Sequence, residues 1–224
     1  EKDAIIKKNF LLPIRIDLRH ETYTHHDSFL WNLYETNMTA EKFAEVYCEQ
    51  ANLVHSLFYG SVLSQLQQQI TQYETIYTAF QEWLSVVQKA PRKAIFVNLA
   101  IEVIINNFIL KDKIQWDIAQ DIGNKPETYS KCVVNDLSLN SDWTTPIAVA
   151  IREQLLENMK ELIQASGRMT SLDEPQTMPV IVRGEDFDLA EWTPLFEQMS
   201  QEEREKQAQR EKRAARLRRR HHAT

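Results

Sequence analysis

Leu12-Pro13-Ile14-Arg15-Ile16-Asp17-Leu18 places a large aliphatic side chain at every second position, with polar residues or proline between them. Successive side chains of an extended backbone point to opposite faces, so this alternation predicts a strand with one buried face and one solvated face. A polar break follows at Arg19-His20-Glu21-Thr22. From Tyr23 to Leu33 the alternation resumes, carried by Phe29 and Trp31. Two alternating runs joined by a short polar link predict an antiparallel hairpin. Thr39-Ala40-Glu41 then has the chemistry of a helix start, and Phe43, Val46 and Tyr47 supply an i, i+3, i+4 apolar face.

The same plan returns 85 or 86 residues later. Val97, Leu99, Ile101 and Val103 repeat the Leu12–Leu18 alternation, and Asp112-Lys113-Ile114-Gln115-Trp116-Asp117 matches Asp27-Ser28-Phe29-Leu30-Trp31-Asn32. Lys125-Pro126-Glu127-Thr128-Tyr129 matches Thr39-Ala40-Glu41-Lys42-Phe43, and the run from Pro146 to Leu155 matches Ser61 to Ile70. A lone two-stranded hairpin is barely stable, so each hairpin needs the helices after it to cover its apolar face. The predicted fold class is α+β: a tandem repeat of two hairpin-helix-helix units followed by a C-terminal basic α-helix. The predicted boundaries are an N-terminal flank at 1–9, a first repeat with an extended second helix at 10–92, and a second repeat at 93–167. A linker and anchor at 168–198 and an arginine-rich helix at 199–222 complete the chain.

The two units differ in their last helices. Val62, Leu66, Ile70, Tyr73, Tyr77, Phe80, Leu84 and Val87 form a heptad-like seam with no breaker until Pro91. That is more than one unit needs for itself. The surplus either docks a partner or packs against the second repeat, and Phe43, Tyr47, Tyr73, Tyr77 and Phe80 are the candidate partner-binding residues. In the second unit Ile147, Ile151, Leu155, Met159 and Leu162 carry a helix to Ser166-Gly167. Arg168 to Pro179 reads as a linker and Val180-Ile181-Val182 as a short edge strand, while Trp192, Leu195 and Phe196 read as an anchor for the final helix.

That helix changes sign as it runs. Ser200 with Glu203 is a capping box, and the residues beyond are strong helix formers. From Arg210 to Thr224 there are seven cationic side chains against Glu211 alone, a net +6 in a chain of net −6, which leaves −12 on residues 1–209. Acid at the start and base at the end suit the helix macrodipole, but so many arginines exceed that need. Lys212, Arg216 and Arg219 recur at i, i+4, i+7; Arg213, Arg216 and Arg220 form an overlapping row. Guanidinium groups on one rigid face can meet carboxylates or phosphates bidentately. A solvated tail, an import signal and a specific anion-binding face all remain compatible with composition.

Hydrophobic residues at 43% and charged residues at 26% are ordinary for a folded soluble protein, and no apolar run of about 18 residues offers a membrane span. The chain opens at Glu1 rather than Met, without a signal-peptide pattern, as expected of a piece of a longer polypeptide. Cys48 and Cys132 are too few for a disulfide framework and are expected as buried free thiols in a reducing compartment. Only four glycines are present, and no Gly-rich phosphate loop. His25-His26 lack companions at metal-ligand spacing. Asp27 and Asp112 fall at matching positions, which suits a turn or strand-end carboxylate accepting a backbone N–H. Trp31 and Trp116 read as hairpin core anchors. No catalytic, cofactor-binding or metal-ligating constellation emerges, so no enzyme activity, cofactor or small-molecule substrate is expected.

Phe10-Leu11-Leu12-Pro13-Ile14-Arg15-Ile16-Asp17, Asp27 to Asn32 and Thr39 to Val46 together resemble the first repeat of the Snf-five (integrase-interactor) family, core subunits of SWI/SNF and RSC chromatin remodellers. Ile114-Gln115-Trp116-Asp117 and Thr145 to Arg152 resemble that family's second repeat. Glu191-Trp192-Thr193-Pro194-Leu195-Phe196-Glu197 and the arginine run resemble its tail. Two departures stand out: Gln72 to Arg92 is longer and more helical, and Ala214-Ala215 stands where the family often has a polar residue and an arginine. The resemblance implies a nuclear, non-catalytic subunit. Its repeats would bind SWIRM-type scaffold subunits, and its C-terminal helix would lie on the acidic patch of the histone octamer, opposite the motor ATPase. Carried onto this sequence, the nucleosome-binding residues are Lys212, Arg216 and Arg219, supported by Arg213, Arg218 and Arg220, with DNA contact secondary. The alternative is a DNA- or RNA-binding adaptor whose basic helix contacts phosphates.

Overall fold

The computed structural model describes residues 10–21, 23–87, 94–120, 123, 125–167 and 192–221, with backbone alone at 211, 212 and 214–221. The described residues form an α+β structure with two small antiparallel sheets and five α-helices. The order is β1 (Leu11–His20), β2 (Tyr23–Asn32), α1 (Ala40–Gln50), α2 (His55–Val87), β3 (Phe96–Ile105), β4 (Phe108–Asp117), α3 (Lys125–Asp136), a 3-10 turn at Ser141–Trp143, α4 (Thr144–Gly167), β5 (Leu195–Gln198) and α5 (Gln201–His221). The chain divides into two compact units: one of Glu1–Leu99 with Ile114–Phe187, the other of Ala100–Lys113 with Asp188–Thr224. The expected linker, the Val180–Val182 strand and the 1–9 flank lie outside the described residues.

In the first unit, Leu12, Ile14, Ile16 and Leu18 of β1 are each at most 1% exposed. Full burial of such side chains contributes about 1.5–3 kcal/mol apiece. β1 pairs with β2 from Leu11↔Asn32 to His20↔Tyr23. Both strands therefore run further than the polar break suggested, because Arg19 and His20 still pair with Thr24 and Tyr23 although their side chains are solvated. Asp27 and Asp112 also sit within strands rather than at their ends, and each accepts the N–H of the next residue, Ser28 or Lys113, at 2.8 Å.

The other edge of β1 is closed by side chains. Gln69 accepts from Arg15 N–H at 3.0 Å and donates to Arg15 C=O at 2.8 Å; Gln65 does the same at Asp17, at 2.9 and 3.1 Å. Two glutamines one turn apart on α2 thus replace an edge strand. Pro13 shares the parity of Arg15 and Asp17, so its missing N–H falls on this edge and costs no bond to β2. Leu11 C=O, two residues earlier, accepts from Arg152 Nη1 of α4 at 3.0 Å. An open strand edge would invite pairing with another chain, and here α2 and α4 cover it.

Arg152 is the deepest charge in this unit, its side chain 2% exposed. Nε and Nη2 donate to the Glu127 carboxylate at 2.6 and 2.8 Å, and Nη2 also donates to Gly123 C=O at 2.7 Å. The guanidinium carbon lies 6.0 Å from the centre of the Phe10 ring. A buried ion tolerates such a place only when fully paired, and Arg152 is. Nearby, Arg15 of β1 forms a fork with Glu153, whose second bond is 2.6 Å. That bond, outweighing partial burial, raises the Arg15 guanidinium above its ordinary value.

Thr39 caps α1 by accepting from Lys42 N–H at 3.3 Å. The seam of α2 is largely used inside the unit, since Val62, Leu66, Phe80 and Leu84 are buried and α2 packs on β1, α1 and α4. Val87, at 48% exposed, marks where that coverage stops. Cys48 is buried, and burial pushes its thiol up. Cys132 corrects the expectation of two buried thiols: it is exposed, because α3 buries Pro126, Ser130, Val133 and Val134 and Cys132 falls off that face.

In the second unit, β5 pairs antiparallel with β4 from Phe108↔Gln198 to Lys111↔Leu195, giving a sheet ordered β3-β4-β5. Of the residues read as an anchor, Leu195 and Phe196 lie in this strand and Trp192 precedes it. Phe196 stacks on Phe108 with ring centres 5.4 Å apart, and the Lys113 ammonium lies 5.6 Å from the centre of the Trp192 ring. Met199, 6% exposed, donates its N–H to Asn107 C=O in the β3–β4 turn at 2.7 Å. Asn106 in that turn has φ 55°, a left-handed conformation that Asn tolerates.

Candidate functional site

The helix that carries the arginines starts immediately after this strand. Ser200 and Glu203 form the reciprocal box: Glu203 N–H donates to Ser200 Oγ at 3.2 Å, while Ser200 N–H and hydroxyl donate to Glu203 Oε2, each at 2.9 Å. The bond from the Ser200 backbone, then that from its hydroxyl, hold the Glu203 carboxyl below the usual carboxylate range, helped by Lys111 and Lys206. From 201 to 210 only Glu203 and Gln207 are partly covered, and Arg210 and Arg213 are exposed. α5 thus touches its surroundings by one short stripe and leaves the rest of its described surface to solvent.

The α5 backbone is helical through Lys212, Arg213, Arg216, Arg218, Arg219 and Arg220. At 100° per residue, Lys212, Arg216 and Arg219 fall on one face of that backbone. Among the described residues no group of His, Cys, Asp and Glu could hold a metal ion, and no helix is long and apolar enough to cross a membrane.

The candidate partner-binding residues lie in the first unit, in two groups. Phe43 and Tyr47 of α1 join Phe29 and Trp31 of β2 in an aromatic cluster, with Phe29–Phe43 centres 4.9 Å and Trp31–Phe43 centres 5.3 Å apart. The Tyr47 hydroxyl donates to Asp27 Oδ2 at 3.0 Å and lies 2.7 Å from His25 Nε2. Burial, reinforced by the Asp27 carboxylate, pushes this phenol well above its ordinary value. In the second group Tyr77 stacks on Phe10 with centres 3.7 Å apart, and burial beside Glu153 raises the Tyr73 phenol. Phe80 is 1% and Tyr47 9% exposed, both packed against their own chain. Sequence reading missed Arg152, Gln65 and Gln69. A lone arginine following Ile147-Ala148-Val149-Ala150-Ile151 is the one available signal for the first.

A comparison with known families matches residues 6–216 to the family described as SNF5 / SMARCB1 / INI1. The chain belongs to this family. Among curated SNF5 / SMARCB1 / INI1 relatives, the chromatin structure-remodeling complex subunit SFH1 of Candida glabrata is 28% identical over 200 residues, covering 88% of this chain and 47% of that protein. The SFH1 protein of Eremothecium gossypii is 28% identical over 155 residues, 69% of this chain and 37% of its own length. The chromatin structure-remodeling complex protein BSH of Arabidopsis thaliana is 26% identical over 153 residues, 66% of this chain and 57% of that one. The chain therefore spans roughly a third to just over half of these relatives. The match runs past both hairpins and into the arginine-rich part of α5.

Proposed function

We propose that this chain is a nuclear, non-catalytic core subunit of an ATP-dependent chromatin-remodelling complex of the SWI/SNF or RSC type. The observation that carries this is the family match over 6–216, together with relatives named as subunits of such complexes. In this reading the chain is a tandem repeat, 10–92 and 93–167, with a linker and anchor at 168–198 and a basic helix at 199–222. The element order β, β, α, α, occurring twice, supports it. The repeats bind SWIRM-type scaffold subunits through the exposed parts of 39–52 and 62–87. The candidates there are Phe43, Tyr47, Tyr73, Tyr77 and Phe80, and Leu63, Gln67 and Thr71 line an open groove. Lys212, Arg213, Arg216, Arg218, Arg219 and Arg220 anchor the nucleosome at the histone acidic patch.

A helix exposed on most of its described surface suits a patch of carboxylates, which guanidinium groups can grip bidentately. A body of net −12 is repelled by DNA, which disfavours the alternative of a phosphate-tracking DNA or RNA adaptor. The membership claim is tested by tagging the full-length protein in its own cells and sedimenting the purified material. Co-migration with a remodelling ATPase and a SWIRM-containing subunit is expected; sedimentation as a free protein would contradict it.

A further inference from the structure

Within the second unit, α5 is tied to something other than its own length. Two residues, Met199 and Ser200, separate the last residue of β5 from the first of α5. Both are held by backbone hydrogen bonds. Met199 N–H is bonded to Asn107 C=O, and the Met199 side chain is buried. Ser200 is locked to Glu203 by the reciprocal box. β5 is held by pairing along Phe108–Lys111, by the Phe196–Phe108 stack, and by the Lys111–Glu197 pair at 3.8 Å. The Lys111 charge also reaches Glu203 in the first turn of α5. Met199 and Ser200, the two residues between strand and helix, are thus each hydrogen-bonded, one to the hairpin tip and one to the first turn of α5.

We propose that β5 and the tip of the β3–β4 hairpin are a mount that fixes the direction of α5, with Phe196, Met199, Ser200 and Glu203 as its positioning residues. This rests on the nucleosome-anchoring reading above and adds that the arginines are presented pre-aimed rather than on a free tail. A ligand group held in its bound orientation saves the ordering entropy that a flexible one loses on binding. The mount also explains why the helix needs almost no apolar stripe of its own. Its orientation is set at its first turn, by a strand.

The test inserts three glycines between Met199 and Ser200 in the full chain, which preserves β5, the capping box and every charge. The control adds three glycines after Thr224. Spin labels at Glu102→Cys and Gln209→Cys, in a Cys132→Ser background, report the spread of distances between hairpin and helix. A narrow distribution in the parent and control, and a broad one in the insertion variant, is expected. With it, affinity for nucleosomes with an intact acidic patch should fall on the order of tenfold in the insertion variant alone, while binding to naked DNA is unchanged. A broad distribution in the parent, or unchanged nucleosome affinity despite broadening, would overturn the mount. Should the parent itself bind intact and neutralised patches alike, the nucleosome-anchoring reading falls, and the distance measurement still decides whether the mount exists.

Discussion

Glu41 with Gln67 and Glu127 with Arg152 occupy matching places in the two hairpin-helix-helix stretches, 86 and 85 residues apart. In each, the acid sits in the first turn of the shorter helix and its partner on the longer one. In the first stretch the pair is exposed, with Gln67 Nε2 donating to Glu41 Oε1 at 3.0 Å. In the second it is an ion pair whose arginine is 2% exposed. The difference lies in what covers it. Phe10 and the Leu11 carbonyl close over Arg152, whereas Gln67 faces an open groove. Arg152 ties the second stretch to the first through the Leu11 carbonyl, whereas Gln67 stays on the surface as a polar residue.

Removing the arginine should have the largest effect. Arg152→Ala removes the ion-pair partner of Glu127 and the bonds to the Leu11 and Gly123 carbonyls, so a loss of about 3–5 kcal/mol in urea unfolding is expected. A loss under about 1 kcal/mol would show that the pair is dispensable. Next comes the substitute edge. Gln65→Ala combined with Gln69→Ala strips four bonds from β1 and should cost about 1–3 kcal/mol, and it should promote concentration-dependent self-association through the freed edge, measured by sedimentation. Gln67→Ala, the surface counterpart of the first variant, should change stability by no more than about 0.5 kcal/mol. The smallest effect is expected at the helix start. The Glu203 carboxyl is held below its ordinary value, so its contribution is present above the unfolded-state value near 4.3 and is lost as pH falls through the folded one. Helical circular dichroism should therefore decline on acidification below that range, and Glu203→Gln should flatten the decline.

What the sequence made legible was whatever is local. The alternation at Leu12–Leu18, the N-cap at Thr39 and the Ser200–Glu203 box are decided within one to seven residues, and each is present in the structure. Arg152 was opaque because its partners come from 25, 29 and 141 residues away. Gln65 and Gln69 looked like solvated helix residues, since nothing in composition says that a side-chain amide will stand in for a peptide group. β5 was missed because four residues of mixed polarity, Leu195-Phe196-Glu197-Gln198, acquire strand character only through their neighbour β4. The candidate residues on α5 were picked from a dense run of arginines, which is visible without any fold at all.

In the proposed function the arginine helix grips carboxylates rather than phosphate. The most direct measurement compares binding of the full chain to nucleosomes with an intact acidic patch, nucleosomes with that patch neutralised, and naked DNA, all at one salt concentration. Preference for the intact patch is predicted, and Arg216→Ala with Arg219→Ala should remove it at a cost of about 2 kcal/mol or more. Equal binding to all three, unaltered in kind by the double substitution, would mean that the helix reads phosphate, and the claim would be wrong.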